Sequence, residues 1–314
     1  MTKKNILPGI LLILTAGTLW GGLSTSVQFL FASDPTLTPF ELVTLRQLSA
    51  GVLFVLGASL FMPERMWAIW RDWRVVRDIF LSGFLVFVSH SSFFEAIYYS
   101  NAGTGAVMLT VVPLFAALWA AFRERRMVSS IEAFCFLLAT AGVLLIVTDG
   151  NFSGLQFSPL AILWGLLSAV SGAAYSIQPH RVIAKVGVIP VVAWSMIAGG
   201  ICSSIVTPPW SIAIDWSWRE TGAFGFIVLF GTIAAFSLYM AGLRYVTPVV
   251  AGLLNCAEPL TAFLFSIVLL GDRFGFWQTV GIALVLLNVC LLTLGGQRRS
   301  ASSREAEKGS SQEL

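Results

Sequence analysis

The feature that most constrains this chain is a succession of long apolar windows separated by short polar breaks. Windows of about 19 to 24 residues fall near 8–31, 39–62, 78–100, 102–122, 130–148, 158–179, 188–208, 221–243, 248–270 and 276–295. A helix rises about 1.5 Å per residue, so each is long enough to cross a hydrocarbon layer about 30 Å thick. Only 11% of the residues are charged, against about 25% in ordinary soluble domains. The expected fold is all-α integral membrane, with ten transmembrane helices. Lys3 and Lys4 precede an apolar stretch that continues to Phe31, too long for a cleavable secretory signal, so it reads as the first span.

Basic residues set the orientation. With the N-terminus in the cytoplasm, sixteen of the 19 Lys and Arg residues fall on that face, among them Arg71, Arg74, Arg77, Arg123, Arg181 and Lys185. The opposite face holds only Arg219 and Arg273, and Arg46 alone lies inside a span. Such an asymmetry predicts that both termini are cytoplasmic, because positive loops stay inside. Trp67, Trp70 and Trp73 alternate with arginines between spans two and three, a spacing that suits a short helix in the headgroup layer, and Trp210, Trp216 and Trp218 recur between spans seven and eight. Residues 298–314 are polar and aperiodic and are expected to form a disordered cytoplasmic tail.

Several chemistries find no support. Cys135, Cys202, Cys256 and Cys290 sit inside apolar runs without paired spacing or neighbouring histidines, so they read as small packing residues, neither disulfides nor metal ligands. The net charge of +3 has no clustered basic face that would engage nucleic acid. There is no zinc-protease motif, phosphate-binding loop or nucleophile elbow, so no catalytic residue, metal or cofactor is assigned.

The chain repeats itself. Shifted by 146 positions, Tyr99, Val107, Pro113 and Leu114 meet Tyr245, Leu253, Pro259 and Leu260. Shifted by 150, Gly22, Ser26, Val27 and Gln28 meet Gly172, Ser176, Ile177 and Gln178. The halves are residues 1–150 and 151–297, with five spans each. Five is odd, so the second half lies inverted relative to the first, an arrangement that places a solute site near the bilayer midplane where broken helices meet.

The ninth window carries the strongest anomaly, Asn255-Cys256-Ala257-Glu258-Pro259. An ionisable side chain at mid-span costs roughly 2.5 to 3.5 kcal/mol on insertion scales. Pro259 has no N–H for the carbonyl of Asn255, which frees an acceptor at the same depth. Asn255, Glu258 and Thr261 share one side of a helix and must face protein or water. Their counterparts in the first half, Leu109, Val112 and Phe115, are apolar, whereas His90 and Glu95 in span three match Phe236 and Ala241 in span eight. The cavity is therefore expected to be asymmetric, with walls suited to an amphipathic solute.

Glu258 reads either as a protonated structural carboxyl or as a contact for a substrate amine and a proton carrier, which makes proton coupling one expectation. His90 is a cavity group or an interhelical hydrogen bonder, and Glu95 lies near the end of its span. Gln28 and Gln178 occupy symmetric places and are expected at the cavity, as are Trp20, Trp164 and Tyr239, with Tyr175 weaker. Pro113 and Pro259 are expected to kink the spans that open and close the cavity, and Gly17 and Gly21 to pack span one closely. Arg46 leans structural, pairing with Glu41 or reaching toward the interface.

The doubled order of these pieces resembles the drug/metabolite transporter superfamily, in its EamA branch of ten-helix carriers. The resemblance rests on Leu19-Trp20-Gly21, on Arg46, on Tyr98-Tyr99 leading to Ala106 through Pro113, and on Leu243-Arg244-Tyr245 leading to Ala251 through Glu258-Pro259. Leu270-Gly271-Asp272-Arg273 before Gly281 completes it. The first half departs from the family pattern in having Arg123-Glu124-Arg125-Arg126 where an acidic residue usually precedes the fifth helix. The resemblance implies a bacterial inner-membrane carrier that exports amino acids or related small metabolites. The partners expected are then a small-molecule substrate, such as an amino acid, and the lipid bilayer. The alternative is a polytopic intramembrane enzyme acting on a lipid-linked substrate.

Overall fold

The computed structural model describes residues 6–291 apart from 124, 126, 128–129, 151–157, 247–249, 252–253, 256 and 288–289. Cys256 and the tail from 298 lie outside the described residues. Within them the chain is all-helical, and the main elements are α1 (Leu7–Ser33), α2 (Pro39–Phe61), α3 (Pro63–Ala68), α4 (Trp73–Tyr98), α5 (Ala102–Leu109), α6 (Val112–Arg123), α7 (Ser130–Thr148), α8 (Pro159–Ile177), α9 (His180–Val186) and α10 (Val188–Val206). They continue with α11 (Trp218–Val228), a π turn over Leu229–Ala234, α12 (Ala235–Gly242), α13 (Ala257–Phe265), a second π turn over Ser266–Leu270, and α14 over Phe276–Leu287.

Seven helical stretches are long and apolar enough to cross a membrane; α5 and α6 count together as Ala102–Arg123, and α11 through α12 as Trp218–Gly242. Three shorter apolar helices, Ala133–Ile146, Ala257–Leu270 and Phe276–Leu287, stand where the fifth, ninth and tenth windows were read. In the ninth window Asn255 forms a turn ahead of Pro259.

Helix starts follow local chemistry. Thr38 and Glu41 form a reciprocal capping box, Thr38 N donating to Glu41 Oε2 at 2.7 Å, with Pro39 in the first turn. Asp72 caps α4 through Arg74 N at 2.9 Å, and Asn101 caps α5 through Thr104 N at 2.8 Å. A short helix, α3, followed by a 3-10 turn over Ile69–Arg71 joins α2 to α4, with Trp67 and Trp70 packed edge-on against Trp194, whose Nε1 donates to Met66 O at 2.9 Å. Trp216 is half-buried and donates to Asp34 Oδ2 at 3.2 Å, so it ties the loop before α11 to the α1–α2 turn.

Packing interleaves the halves. α4 lies along α8, while α11 and α12 lie along α1. α5 and α6 contact α8, and α13 contacts α1; α2 and α10 run against each other. Close approach on α1 depends on its glycines: a Cβ on Gly21 would collide with Thr261 Oγ1 and come within 2.8 Å of the Glu258 carbonyl oxygen, and one on Gly17 would sit 3.0 Å from Ala257 Cβ. α1 can therefore seat the start of α13 directly on its backbone. Cys135 and Cys202 pack in apolar clusters.

Candidate functional site

Proline shapes both walls of the central cavity. In the first half the helix stops at Leu109 and resumes at Val112, one residue before Pro113. Thr110 bridges the break, its Oγ1 donating to Val107 O at 2.6 Å. In the second half Asn255 is the turn residue, and its carbonyl, which Pro259 cannot serve, accepts instead from Glu258 N at 3.0 Å. A tight turn thus satisfies the acceptor that proline frees.

Between these breaks lies a cavity of about 410 Å³, within the range of roughly 300 to 1,000 Å³ typical of small-molecule sites. Seven of the residues singled out in the sequence line it: Trp20, His90, Pro113, Tyr239, Asn255, Glu258 and Pro259. Equivalent positions of the two halves both line it: Leu109 and Val112 with Asn255 and Glu258, and His90 with Phe236. Trp20 packs on Phe236 and Tyr239 at centroid distances of 5.3 and 5.4 Å, which builds an aromatic wall. Thr261 leaves the polar stripe and turns to α1, its Oγ1 donating to Ala257 O within its own helix at 2.7 Å and lying 3.4 Å from Gly17 O of α1.

Four expected residues, Gln28, Gln178, Trp164 and Tyr175, do not line this cavity. Gln28 lies toward the end of α1, where its Oε1 accepts from Ala102 N at 2.6 Å and its Nε2 donates to Asp272 Oδ2 at 2.9 Å. Gln178 caps the end of α8, where it accepts from Ser82 Oγ and donates to Asp78 O at 3.1 Å. Both glutamines were expected at mid-depth; each instead ties a helix end to a neighbour. Trp164 is half-buried on α8 and also lies outside the lining, as does buried Glu95.

Arg46 corrects the sequence reading most sharply. Glu41 is committed to the α2 cap, so the two do not pair. Arg46 is 3% exposed and lines the cavity, its Nε donating to Thr232 Oγ1 at 3.1 Å and its guanidinium lying 5.4 Å over the Phe94 ring. Thr232 belongs to the π turn and donates to Ile227 O, five residues back, at 2.8 Å. A π turn is a frequent companion of functional sites because it re-aims side chains within a helix. Arg46 and Glu258 feel each other electrostatically, yet no ion pair joins them. The adjacent Gln47, fully buried, donates from Nε2 to His90 Nδ1 at 3.3 Å, so it orients the imidazole.

A second cavity of about 1210 Å³ opens between α4, α6 and α8, lined by Arg77, Arg123 and Arg181 together with Phe115, Trp119 and Phe122. At the Gln28 end a polar cluster of Asn101, Asp149, Asp272, Gly275 and Gln278 holds the helix ends together, with Gln278 N donating to Asp149 Oδ1 at 3.1 Å.

The chain is similar to known proteins over nearly its whole length. The model of the EamA-like transporter family matches residues 7–148 and again 159–294. The chain is 30% identical over 300 residues to the uncharacterized inner membrane transporter YicL of Salmonella typhimurium, covering 94% of this chain and 98% of that one. It is 28% identical over 302 residues to the uncharacterized transporter YwfM of Bacillus subtilis, covering 94% of this chain and 96% of that one. A solved crystal structure that is 20% identical superposes with a TM-score of 0.63 over 92% of this chain and 98% of its own, and so shares the fold. The chain belongs to the EamA-like transporter family, within the drug/metabolite transporter superfamily.

Proposed function

We propose that this multi-pass membrane transporter is a secondary carrier that moves small amphipathic metabolites, amino acids or related compounds, out of a bacterial cell by alternating access around the central cavity. The observation that carries the reading is the composition of that cavity: Arg46, His90, Asn255 and Glu258 line it together with an aromatic wall of Trp20, Phe236 and Tyr239. A solute with a charged end and an apolar body matches both walls. Ten spans in two inverted halves, residues 1–150 and 151–297, with both termini in the cytoplasm, complete the proposal. The reciprocal packing of α4 on α8 and of α11 and α12 on α1 supports it, as does the family match in each half.

The sequence carries no nucleotide-binding motif, so the driving force is a gradient. Glu258, a carboxyl at mid-depth, is the proton carrier of this scheme. The inner membrane is the assigned location, in keeping with the basic face that the sequence turns to one side. The test is flux in proteoliposomes with a panel of labelled amino acids and an imposed pH gradient. Accumulation that follows the gradient supports the scheme, and silence toward every amino acid overturns it.

A further inference from the structure

We infer that Arg46 is the specificity-determining residue of the cavity, and that the solute it selects carries a carboxylate. The inference rests on the carrier reading above and adds to it the chemical group that the solute must have. Arg46 makes one side-chain hydrogen bond, from Nε to Thr232 Oγ1 at 3.1 Å. That bond and the Phe94 ring 5.4 Å away fix the guanidinium plane. Its two terminal nitrogens make no hydrogen bond to the described residues, while the residue lines the cavity. What remains free is the parallel pair of N–H donors that binds a carboxylate in two-pronged fashion.

A guanidinium buried among helices at this depth is costly unless an anion meets it. Glu258 does not do so directly, for no ion pair joins the two. The carboxyl lies on another wall, where Asn255 Nδ2 approaches its Oε2 at 3.5 Å and Asn255 Oδ1 is buried with no donor. The cavity therefore presents an anion receptor on α2 and acceptors for a cation beside the α13 break, held apart. A zwitterion bridges them, its carboxylate on Arg46 and its ammonium toward Glu258 and Asn255. Its side chain then meets Leu109, Val112 and Phe236. His90 Nδ1 faces Gln47 Nε2 at 3.3 Å, and among the described lining residues Arg46 is the one with a permanent positive charge.

The experiment uses the full chain in proteoliposomes with four probes of one shape: leucine, leucinamide, which lacks the carboxylate, isoamylamine, which keeps only the amine, and 4-methylpentanoate, which keeps only the acid. Leucine flux should exceed leucinamide and isoamylamine flux by at least tenfold, and unlabelled leucinamide should compete poorly. Arg46→Gln should lower leucine flux about tenfold and remove the preference over leucinamide, while Arg46→Lys retains part of both. Equal handling of leucine and leucinamide by the unaltered protein overturns the inference and leaves the carrier reading standing. No flux of any probe removes the amino-acid reading and this inference together. The competition arm needs no variant, so the test survives if Arg46→Gln does not fold.

Discussion

Arg46 Nε and Thr232 Oγ1 lie 3.1 Å apart and join α2 to the π turn between α11 and α12, one element from each half of the chain. The same hydroxyl donates to Ile227 O at 2.8 Å, so Thr232 is both a prop for the cation and a closure of the π turn. A buried hydrogen bond to a charged group contributes about 1.5 to 3 kcal/mol in soluble proteins, and interhelical bonds in membranes about 0.6 kcal/mol on average.

Thr232→Val keeps the shape of the side chain and removes the hydroxyl. It should lower stability by about 1 to 2 kcal/mol and reduce flux without abolishing it, because the guanidinium loses its one fixed partner. Thermal unfolding in detergent and initial-rate uptake together check this. A variant with normal stability and normal flux would show that the Arg46–Thr232 bond supports neither fold nor transport.

What the sequence made legible, and what it did not, divides along physical lines. Apolar windows and prolines act locally, so seven long apolar helices and the breaks before Pro113 and Pro259 could be read from the string. Aligning the halves exposed the asymmetry of Leu109 and Val112 against Asn255 and Glu258, because it needed only register. The π turn over Leu229–Ala234 leaves no mark in composition, since an inserted residue changes the phase of a helix without changing its residue types. Arg46 was misread for a related reason: its distance from Glu41 fitted an ion pair, and nothing local shows that Glu41 is consumed by the Thr38 cap. Gln28 and Gln178 share a repeat position, yet each bonds to a helix end contributed by a distant segment.

Gly21 holds α1 against the start of α13, and a Cβ there would meet the Glu258 carbonyl oxygen at 2.8 Å. Gly21→Ala should therefore push Glu258 away from α1, with an overpacking cost of about 1 to 3 kcal/mol. Gly57, whose Cβ direction is open, is the control: Gly57→Ala should leave both stability and flux unchanged. Unfolding midpoints of the two variants, measured side by side, decide the matter.

Asp72 offers a pH handle outside the spans. The hydrogen bond from Lys185 Nζ at 2.7 Å, aided by the Arg74 N–H that it caps, holds its carboxyl below the ordinary value of 3.8. A lowered folded value means that the contribution is present above the unfolded value and is lost as pH falls through the folded one. Asp72→Asn retains a capping side chain and removes the charge. It should be slightly less stable than the parent at neutral pH and equal to it once the pH drops well below 3.8. A deficit that persists unchanged at acid pH would assign Asp72 a purely capping role.

At the other end of the molecule Gln28 joins Ala102 N and Asp272, and so closes α1 against α5 and the loop before α14. Removing both bonds with Gln28→Leu costs about 1 kcal/mol for each, enough to shift an open–closed balance on the order of tenfold. With the native cysteines replaced, a reporter Thr110→Cys in the cavity should react faster with a membrane-impermeant maleimide added from the outer side. Unchanged labelling would mean that closure at this end does not depend on Gln28.

Glu258 carries the prediction on coupling. It faces the cavity directly after the Asn255 turn, beside the break that Pro259 imposes. With Glu258 as the proton shuttle, Glu258→Gln should abolish accumulation driven by a pH gradient but only lower exchange of solute for solute, since the amide keeps shape and an acceptor for the ammonium yet cannot carry a proton across. The two modes separate the roles of one residue: substrate contact affects both, coupling only the first. Flux by Glu258→Gln that keeps its full rate and its pH dependence in both modes would remove the carboxyl from the mechanism and return it to a structural part in the α1–α13 contact.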